Sequence, residues 1–249
     1  LQRAGIEAEI YEAQPATDDQ AGSFLNVAAN GMDVLTTLGL GDQLFAEGFP
    51  CSRMIMWSSN GKRLGEVLNA GAQDPDATSV IIKRTVLHRI VRNEAMRQGI
   101  KIAFDKRLTD IHVAADQRVT ANFADGTTAT GDLLIGCDGI HSRTRQFVLP
   151  DAPAPVYTGL VSAGGFAQSK NLAPTPYTQH FVFGKRAFFG YLVKPDGEIY
   201  WFENHDVPGE PRRSELAAIA QAEWREKLLN LHRDDQPFIN DIMRTTEGE

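Results

Sequence analysis

Hydrophobic and polar positions alternate along much of this chain, and the alternation breaks at glycine and proline. Short alternating runs predict strands, and apolar positions three or four residues apart predict helices. Residues 1–4 have the form of a last helical turn before Gly5, and residues 6–11 read as a strand. A helix that runs into a short strand is the second half of a βαβ unit, which needs a strand before its helix. We therefore expect the chain to begin within such a unit.

Turn and capping residues predict further helices and strands through the first 150 residues. Helices are predicted at residues 28–38 and 85–98, the second with Thr85 as its N-cap. Asn60-Gly61, between two alternating runs, is a strong hairpin signal. Strands are expected at residues 53–57, 63–68, 79–83, 101–104 and 132–137, with a small antiparallel meander at 107–130.

The pattern changes after Pro150, where a Pro/Ala-rich connector leads into aromatic-rich alternating runs. A helix is predicted from Ser214 to about Leu231. These features indicate a second domain built on a broad, mostly antiparallel sheet. We therefore divide the chain into residues 1–150, with an inserted hairpin around 52–68 and the meander at 107–130, and residues 151–249. Strands of the second part are predicted at residues 157–166, 179–183, 187–193 and 198–204.

Composition narrows the functional classes. The 249 residues are 42% hydrophobic and 23% charged, with a net charge of −7, as in an ordinary globular protein. An acidic balance without a Lys/Arg block argues against nucleic acid and anionic membrane surfaces. No apolar run approaches the roughly 18 residues of a membrane-spanning helix. Cys51 and Cys137 suggest no disulfide framework, which fits a reducing cytoplasm, and the six histidines show no metal-ligand spacing.

Two strand ends carry residues suited to a nucleotide. Glu12 closes the first predicted strand, where a carboxylate can accept hydrogen bonds from a ribose diol. The alternative is an ordinary solvated glutamate. Asp138-Gly139 ends an apolar run where a helix begins, so free N–H groups would favour an anion and glycine would permit close approach. The alternative there is a strand–helix turn with an aspartate N-cap.

The combination and order of these motifs resemble the FAD-dependent aromatic hydroxylases of the para-hydroxybenzoate hydroxylase type. Asp138-Gly139 is similar to that family's Asp-Gly motif, and Glu12 to its ribose-binding acid. Arg84 resembles the arginine that contacts the flavin end of FAD, and Leu108 the residue whose backbone touches the adenine. The resemblance thus implies that FAD is bound by Glu12, Arg84, Leu108, Asp138 and Gly139.

The resemblance implies an α/β fold with two parts. One is a Rossmann-like FAD/NAD(P)-binding domain of the glutathione-reductase type that lacks its first strand, and the other is an antiparallel-sheet substrate domain. The family's Gly-rich phosphate loop would lie upstream of Leu1, and its later Gly-Asp motif is also absent from the sequence. We therefore expect this chain alone to bind FAD poorly or not at all.

The implied activity is that of a cytoplasmic monooxygenase, and we expect it of the full-length parent protein rather than of this chain alone. It would consume NAD(P)H and O₂ and hydroxylate an aromatic or polycyclic, mostly apolar molecule through a flavin hydroperoxide, and it could form a homodimer. Since the cofactor carries the chemistry, no catalytic dyad is required, and no catalytic residue is identified. Two alternatives remain: another flavin-dependent reductase, dehydrogenase or halogenase on the same fold, or a non-catalytic fragment.

Overall fold

The computed structural model describes residues 1–16, 23–69 and 78–247. A 3₁₀ turn at Gln2–Ala4 comes before the first strand. The strands are β1 (Glu9–Tyr11), β2 (Phe24–Val27), β3 (Phe49–Cys51), β4 (Arg53–Ser58), β5 (Arg63–Leu68), β6 (Ser79–Lys83), β7 (Lys101–Ala103), β8 (Leu108–Val113), β9 (Val119–Phe123), β10 (Thr128–Gly131), β11 (Leu160–Gln168), β12 (Thr178–Phe183), β13 (Ala187–Val193), β14 (Glu198–Asp206) and β15 (Thr246–Glu247). The helices are α1 (Ala29–Thr37), α2 (Gly41–Glu47), α3 (Arg84–Arg97), α4 (Arg143–Val148), α5 (Arg213–Ala218), α6 (Gln221–Leu231) and α7 (Pro237–Arg244).

The chain divides into two compact units. Unit 1 comprises residues 1–21 and 91–156, and unit 2 comprises residues 22–90 and 157–249. Each unit is therefore assembled from two separate stretches of chain, whereas the sequence predicted one boundary near residue 150. The assignment of a cofactor-binding domain and a substrate domain to residues 1–150 and 151–249 stays a prediction.

Unit 1 contains two small sheets. β1 pairs in parallel with β7, and β8, β9 and β10 form the predicted antiparallel meander. Gly5 ends the opening turn with a φ of 71°, a left-handed conformation that glycine adopts without strain. The ring of Tyr11 stacks on Phe123 of the meander, with ring centroids 4.9 Å apart. The predicted turn–strand opening and the meander are thus confirmed.

The strand predicted at residues 132–137 is wrong. This run has no regular secondary structure and forms no ladder with any residue that the structure describes. Its apolar side chains remain accessible, with Leu133 72% and Ile135 57% exposed. A strand is stabilised by backbone hydrogen bonds to a neighbouring strand, and the described part of the chain places no strand beside this run. An apolar sequence was therefore not sufficient for a strand.

Unit 2 is organised around a seven-stranded sheet in the order β15-β11-β14-β13-β12-β4-β5. Neighbouring strands are antiparallel except β12 and β4, which run parallel. Gly61 has a φ of 84° in the turn between β4 and β5, which confirms the predicted hairpin. A smaller sheet joins β2, β6 and β3. The predicted mixed α/β class, with a broad and mostly antiparallel sheet, is confirmed.

Alternate residues of the large sheet point to opposite faces. On one side, which we call the helix face, Trp201 and Phe189 pack against Leu228 of α6 and Ile239 and Ile242 of α7. On the other side, which we call the ring face, aromatic rings contact one another across the strands. The rings of this face are Phe166, Phe181, Phe183, Phe188, Tyr200 and Phe202, and Phe24 of the smaller sheet packs against them.

Two predicted helices differ from the structure. The helix expected from Ser214 to Leu231 is broken into α5 and α6, because Ile219 has an extended backbone with a ψ of 123°. Thr85 is not an N-cap, because α3 begins at Arg84, whose N–H donates to the carbonyl of Ser23 at 3.0 Å. β2, β3, α2 and α7 were not predicted from the sequence. No helix in the described ranges is long and apolar enough to cross a membrane.

Candidate functional site

The carboxylate of Asp138 holds the loop that leads into α4. One of its oxygens accepts a hydrogen bond from the Ser142 hydroxyl, and the other accepts from the N–H groups of Arg143 at 2.8 Å and Thr144 at 3.1 Å. Ser142 in turn accepts from the N–H of Arg145 at 2.9 Å. Burial opposes ionisation of Asp138, but hydrogen bonds from Ser142 and the Thr144 N–H outweigh it and lower its pKa. The N-cap of α4 is Ser142, not Asp138 as the capping alternative had it, and Asp138 supports this cap by accepting from the next two N–H groups.

This capping leaves few donors for an anion. The first N–H groups of α4, which the sequence predicted to be free, are taken up by Asp138 and Ser142. Gly139, in contrast, keeps the expected geometry. It has a φ of 80°, and no atom lies within 4 Å of the position a Cβ would occupy. A ligand could therefore approach the backbone at Gly139, but it would not meet unpaired helix N–H groups there.

Glu12 lies at the end of β1, as predicted. Its N–H donates to the carbonyl of Ala103, and its own carbonyl accepts from the N–H of Lys106, both at 2.8 Å. The side chain is exposed, and Oε1 accepts from the N–H of Gln14 at 2.8 Å. Oε2 has no hydrogen-bond partner in the described part of the chain, so it can accept from a ribose hydroxyl. The bond to Lys106 also brings Glu12 beside the segment that leads to Leu108, the half-buried first residue of β8.

The predicted site residues are only partly brought together. Within unit 1, no ladder or hydrogen bond between described residues joins the Glu12 strand to the Asp138 loop. Arg84 belongs to unit 2, where its exposed side chain forms no ion pair with a described residue. In unit 2, the guanidinium of Arg84 is therefore available to an anionic group of a ligand. The described residues contain no cluster suited to a metal ion.

The ring face of unit 2 is the surface suited to a planar ligand. Phe202 lies at its centre, in register with Gly164 on β11 and Gly190 on β13. A Cβ on Gly190 would lie 2.3 Å from the Phe202 ring, so that ring covers Gly190. Gly164 is exposed. The backbone at Gly164 is therefore accessible beside the half-buried ring of Phe202.

Charge is compensated at one end of the ring face. Lys83 and Lys194 each lie 2.7 Å from Glu198, and their ammonium groups stand over the rings of Phe166 and Tyr200. Burial, with a contribution from the charge of Glu198, raises the pKa of Tyr200. Its hydroxyl therefore stays protonated at neutral pH. Lys194 also lies 3.7 Å from Asp196, so two carboxylates balance the two cations at this end.

A buried polar pair lies on the helix face and was missed by the sequence analysis. Glu203 and His205 are 0% and 3% exposed, and both carboxylate oxygens lie within 3.1 Å of the imidazole Nδ1. Burial raises the pKa of Glu203 to about 8 and lowers that of His205. Two ionisable residues that continue the alternating apolar positions Ile199 and Trp201 were the available signal. Being on the helix face, the pair does not contact a ligand on the ring face.

The comparisons with known proteins agree with the geometry. Residues 1–169 match the family described as "FAD binding domain". The FAD-dependent urate hydroxylase of Klebsiella pneumoniae is 33% identical over 217 residues, which cover 84% of this chain and 53% of that protein. The 6-hydroxynicotinate 3-monooxygenase of Pseudomonas fluorescens is 28% identical over 266 residues, covering 99% of this chain and 65% of that protein.

Solved structures share the fold. The crystal structure of Klebsiella pneumoniae HpxO complexed with FAD and uric acid superimposes with a TM-score of 0.82. It is 24% identical, and the match covers 98% of this chain and 60% of that chain. The chain thus spans between half and two thirds of the length of the relatives that it matches.

Proposed function

Because this chain belongs to the FAD-binding-domain family of the aromatic-hydroxylase type, we propose that it acts as an FAD-dependent monooxygenase on a planar aromatic or heteroaromatic molecule. The observation that carries the proposal is the family match over residues 1–169, together with the aromatic ring face of unit 2. Relatives are named for urate, 6-hydroxynicotinate and 3-amino-4-hydroxybenzoate, all of which are planar rings. Fold alone would not justify the step, because related folds host several chemistries.

Each candidate residue has a role in this proposal. Glu12 accepts hydrogen bonds from the ribose of FAD, Arg84 contacts its flavin end, and the backbone at Leu108 contacts its adenine. Asp138 shapes the corner at which Gly139 lets the backbone approach the cofactor. FAD, when bound, supplies the redox and oxygen chemistry. The protein's own task is to bind, orient and exclude water.

The ring face orients the substrate in this proposal. Its aromatic side chains offer stacking and edge-to-face contacts, which favour flat apolar rings. The reaction consumes one NAD(P)H and one O₂, places one oxygen atom in the substrate and releases the other as water. Among the described residues of this face, the Tyr200 hydroxyl is held protonated and Lys83 is paired with Glu198, so neither is offered as an acid–base group.

The proposal is tested by coupling three measurements on the purified protein with added FAD. NADH or NADPH oxidation, O₂ uptake and product mass are followed with a panel of hydroxylated and nitrogen-containing rings. We expect ring-stimulated oxidation of the nicotinamide, with one labelled oxygen atom from O₂ in the product. Nicotinamide oxidation without oxygen in any product would instead identify a reductase and refute the proposal.

A further inference from the structure

The open end of the ring face carries a polar pair that no other part of the site uses. Ser162 on β11 and Asn204 on β14 are directly opposite each other, and the serine hydroxyl donates to the amide oxygen of Asn204. An asparagine amide carries two further N–H donors on its nitrogen. Among the residues that the structure describes, the Asn204 Nδ2 donates to none. Because Asn204 is only half-buried, those donors are accessible to a ligand.

This pair stands beside the flat part of the face. Asn204 follows Phe202 by two residues on the same side of β14, and the register places Ser162 and Phe188 on either side of it. Residues two apart on a strand are about 6.6 Å apart, comparable with the length of a six-membered ring and its hydrogen-bonding substituent. A ring lying over the exposed Gly164 against Phe202 would therefore present an edge to the Asn204 amide.

The charge around this end indicates what kind of edge it accepts. The cations that stand over the ring face, Lys83 and Lys194, lie at the Tyr200 end and are paired with Glu198. The next side chain on this side of β14 is the exposed acid Asp206. A carboxylate placed at Asn204 would thus meet a like charge, whereas a neutral carbonyl oxygen or ring nitrogen would not.

We propose that Asn204 is a specificity-determining residue that donates a hydrogen bond to a carbonyl oxygen or ring nitrogen of an uncharged heteroaromatic substrate. Ser162 is a positioning residue, since its hydroxyl occupies the amide oxygen and turns the amide nitrogen toward the ligand. This inference rests on the proposed function, because it names the substrate class of the same site. It predicts discrimination between neutral rings and ring carboxylates.

Equilibrium binding tests the proposal without turnover. Isothermal calorimetry on the full-length protein with excess FAD compares 2-pyridone, a neutral ring with a carbonyl oxygen, with benzoate. We expect tighter binding of 2-pyridone, and a Kd about tenfold higher in Asn204→Ala, the effect of one lost hydrogen bond. Asn204→Asp should weaken 2-pyridone at least as much, because it replaces a donor with a charged acceptor. The exposed Asn171→Ala in the same unit serves as the matched control and should stay within about twofold.

Two results would overturn the inference. One is a wild-type protein that does not prefer 2-pyridone to benzoate, and the other is a Kd that Asn204→Ala leaves unchanged. Thermal melting of each variant shows whether it folds, and Ser162→Ala, which keeps the amide, provides a milder second variant. Turnover separates this failure from failure of the proposed function. Hydroxylation of a ring with an Asn204-independent KM refutes the specificity role alone, whereas absence of any ring-stimulated hydroxylation refutes the monooxygenase.

Discussion

The buried pair of Glu203 and His205 makes the stability of unit 2 depend on pH. Glu203 is fully buried, and burial raises its pKa from 4.5 to about 8. The N–H of Ala163 and the charge of Lys227 only partly offset that effect. His205 is shifted toward its neutral form by the same burial. Near neutral pH, a protonated Glu203 therefore donates to a neutral His205, and replacement by glutamine keeps that donor while removing the titration.

The magnitude follows from the difference between the folded and unfolded pKa values. A rise from 4.5 to about 8 corresponds to about 5 kcal/mol, since one pKa unit is about 1.4 kcal/mol. The folded state holds its proton more tightly than the unfolded state. The contribution of Glu203 is therefore complete below pH 4.5 and is lost as pH rises toward 8. His205 acts in the opposite sense, because unfolding lets it take up a proton below its ordinary pKa of 6.5.

Urea unfolding of wild type and Glu203→Gln, followed by far-UV circular dichroism at a series of pH values, isolates the carboxyl because His205 is common to both proteins. We expect the difference in free energy of unfolding, Glu203→Gln minus wild type, to increase by about 4 kcal/mol from about pH 5 to pH 8. Glu223→Gln, on an exposed position of α6, should follow wild type throughout. Parallel curves for wild type and Glu203→Gln would refute the assignment of a buried protonated carboxyl.

Three further predictions concern packing, cofactor binding and thiol access. Phe189→Ala removes a ring that is 0% exposed, and we expect urea unfolding to show a loss of about 3–5 kcal/mol. Arg84→Ala should raise the Kd for FAD about tenfold by fluorescence titration, while Arg213→Ala stays unchanged; equal values would refute a role for Arg84. Cys137 is exposed, whereas burial raises the pKa of the Cys51 thiol, so native labelling with a maleimide should modify one cysteine and denatured labelling two.

Local signals predicted the elements whose stability is largely local. The Asn60-Gly61 hairpin formed as expected because a tight turn fixes the pairing of β4 with β5. β13 has the predicted bounds, since its alternating run is covered by strands on both sides. The strand prediction for residues 132–137 was wrong because composition does not reveal whether a partner strand is present. The prediction of one continuous helix across Ile219 was wrong for a related reason, since the apolar spacing continues across the break.

Some site residues could likewise be predicted from local sequence, and others depended on the tertiary structure. Glu12 was placed at its strand end because that position follows from alternation alone. The role of Asp138 could not be decided from sequence, because an aspartate at such a turn can bind a ligand or accept hydrogen bonds from the first N–H groups of the helix. Asn204 and Glu203 are adjacent in sequence but lie on opposite faces of β14. Which of them meets a ligand depends on which face the C-terminal helices cover, and no local pattern contains that information.

The parallel pairing of β4 with β12 has a consequence for how unit 2 forms during synthesis. Arg53 is in register with Thr178, so the two strands are separated by some 125 residues of chain. At about 5–20 residues per second, the ribosome supplies β12 several seconds after the hairpin of β4 and β5. During that interval the Trp57 ring lacks the His180 ring on which it stacks in the folded protein. Such a high contact order slows folding and lengthens the time in which chaperones must shield the nascent hairpin.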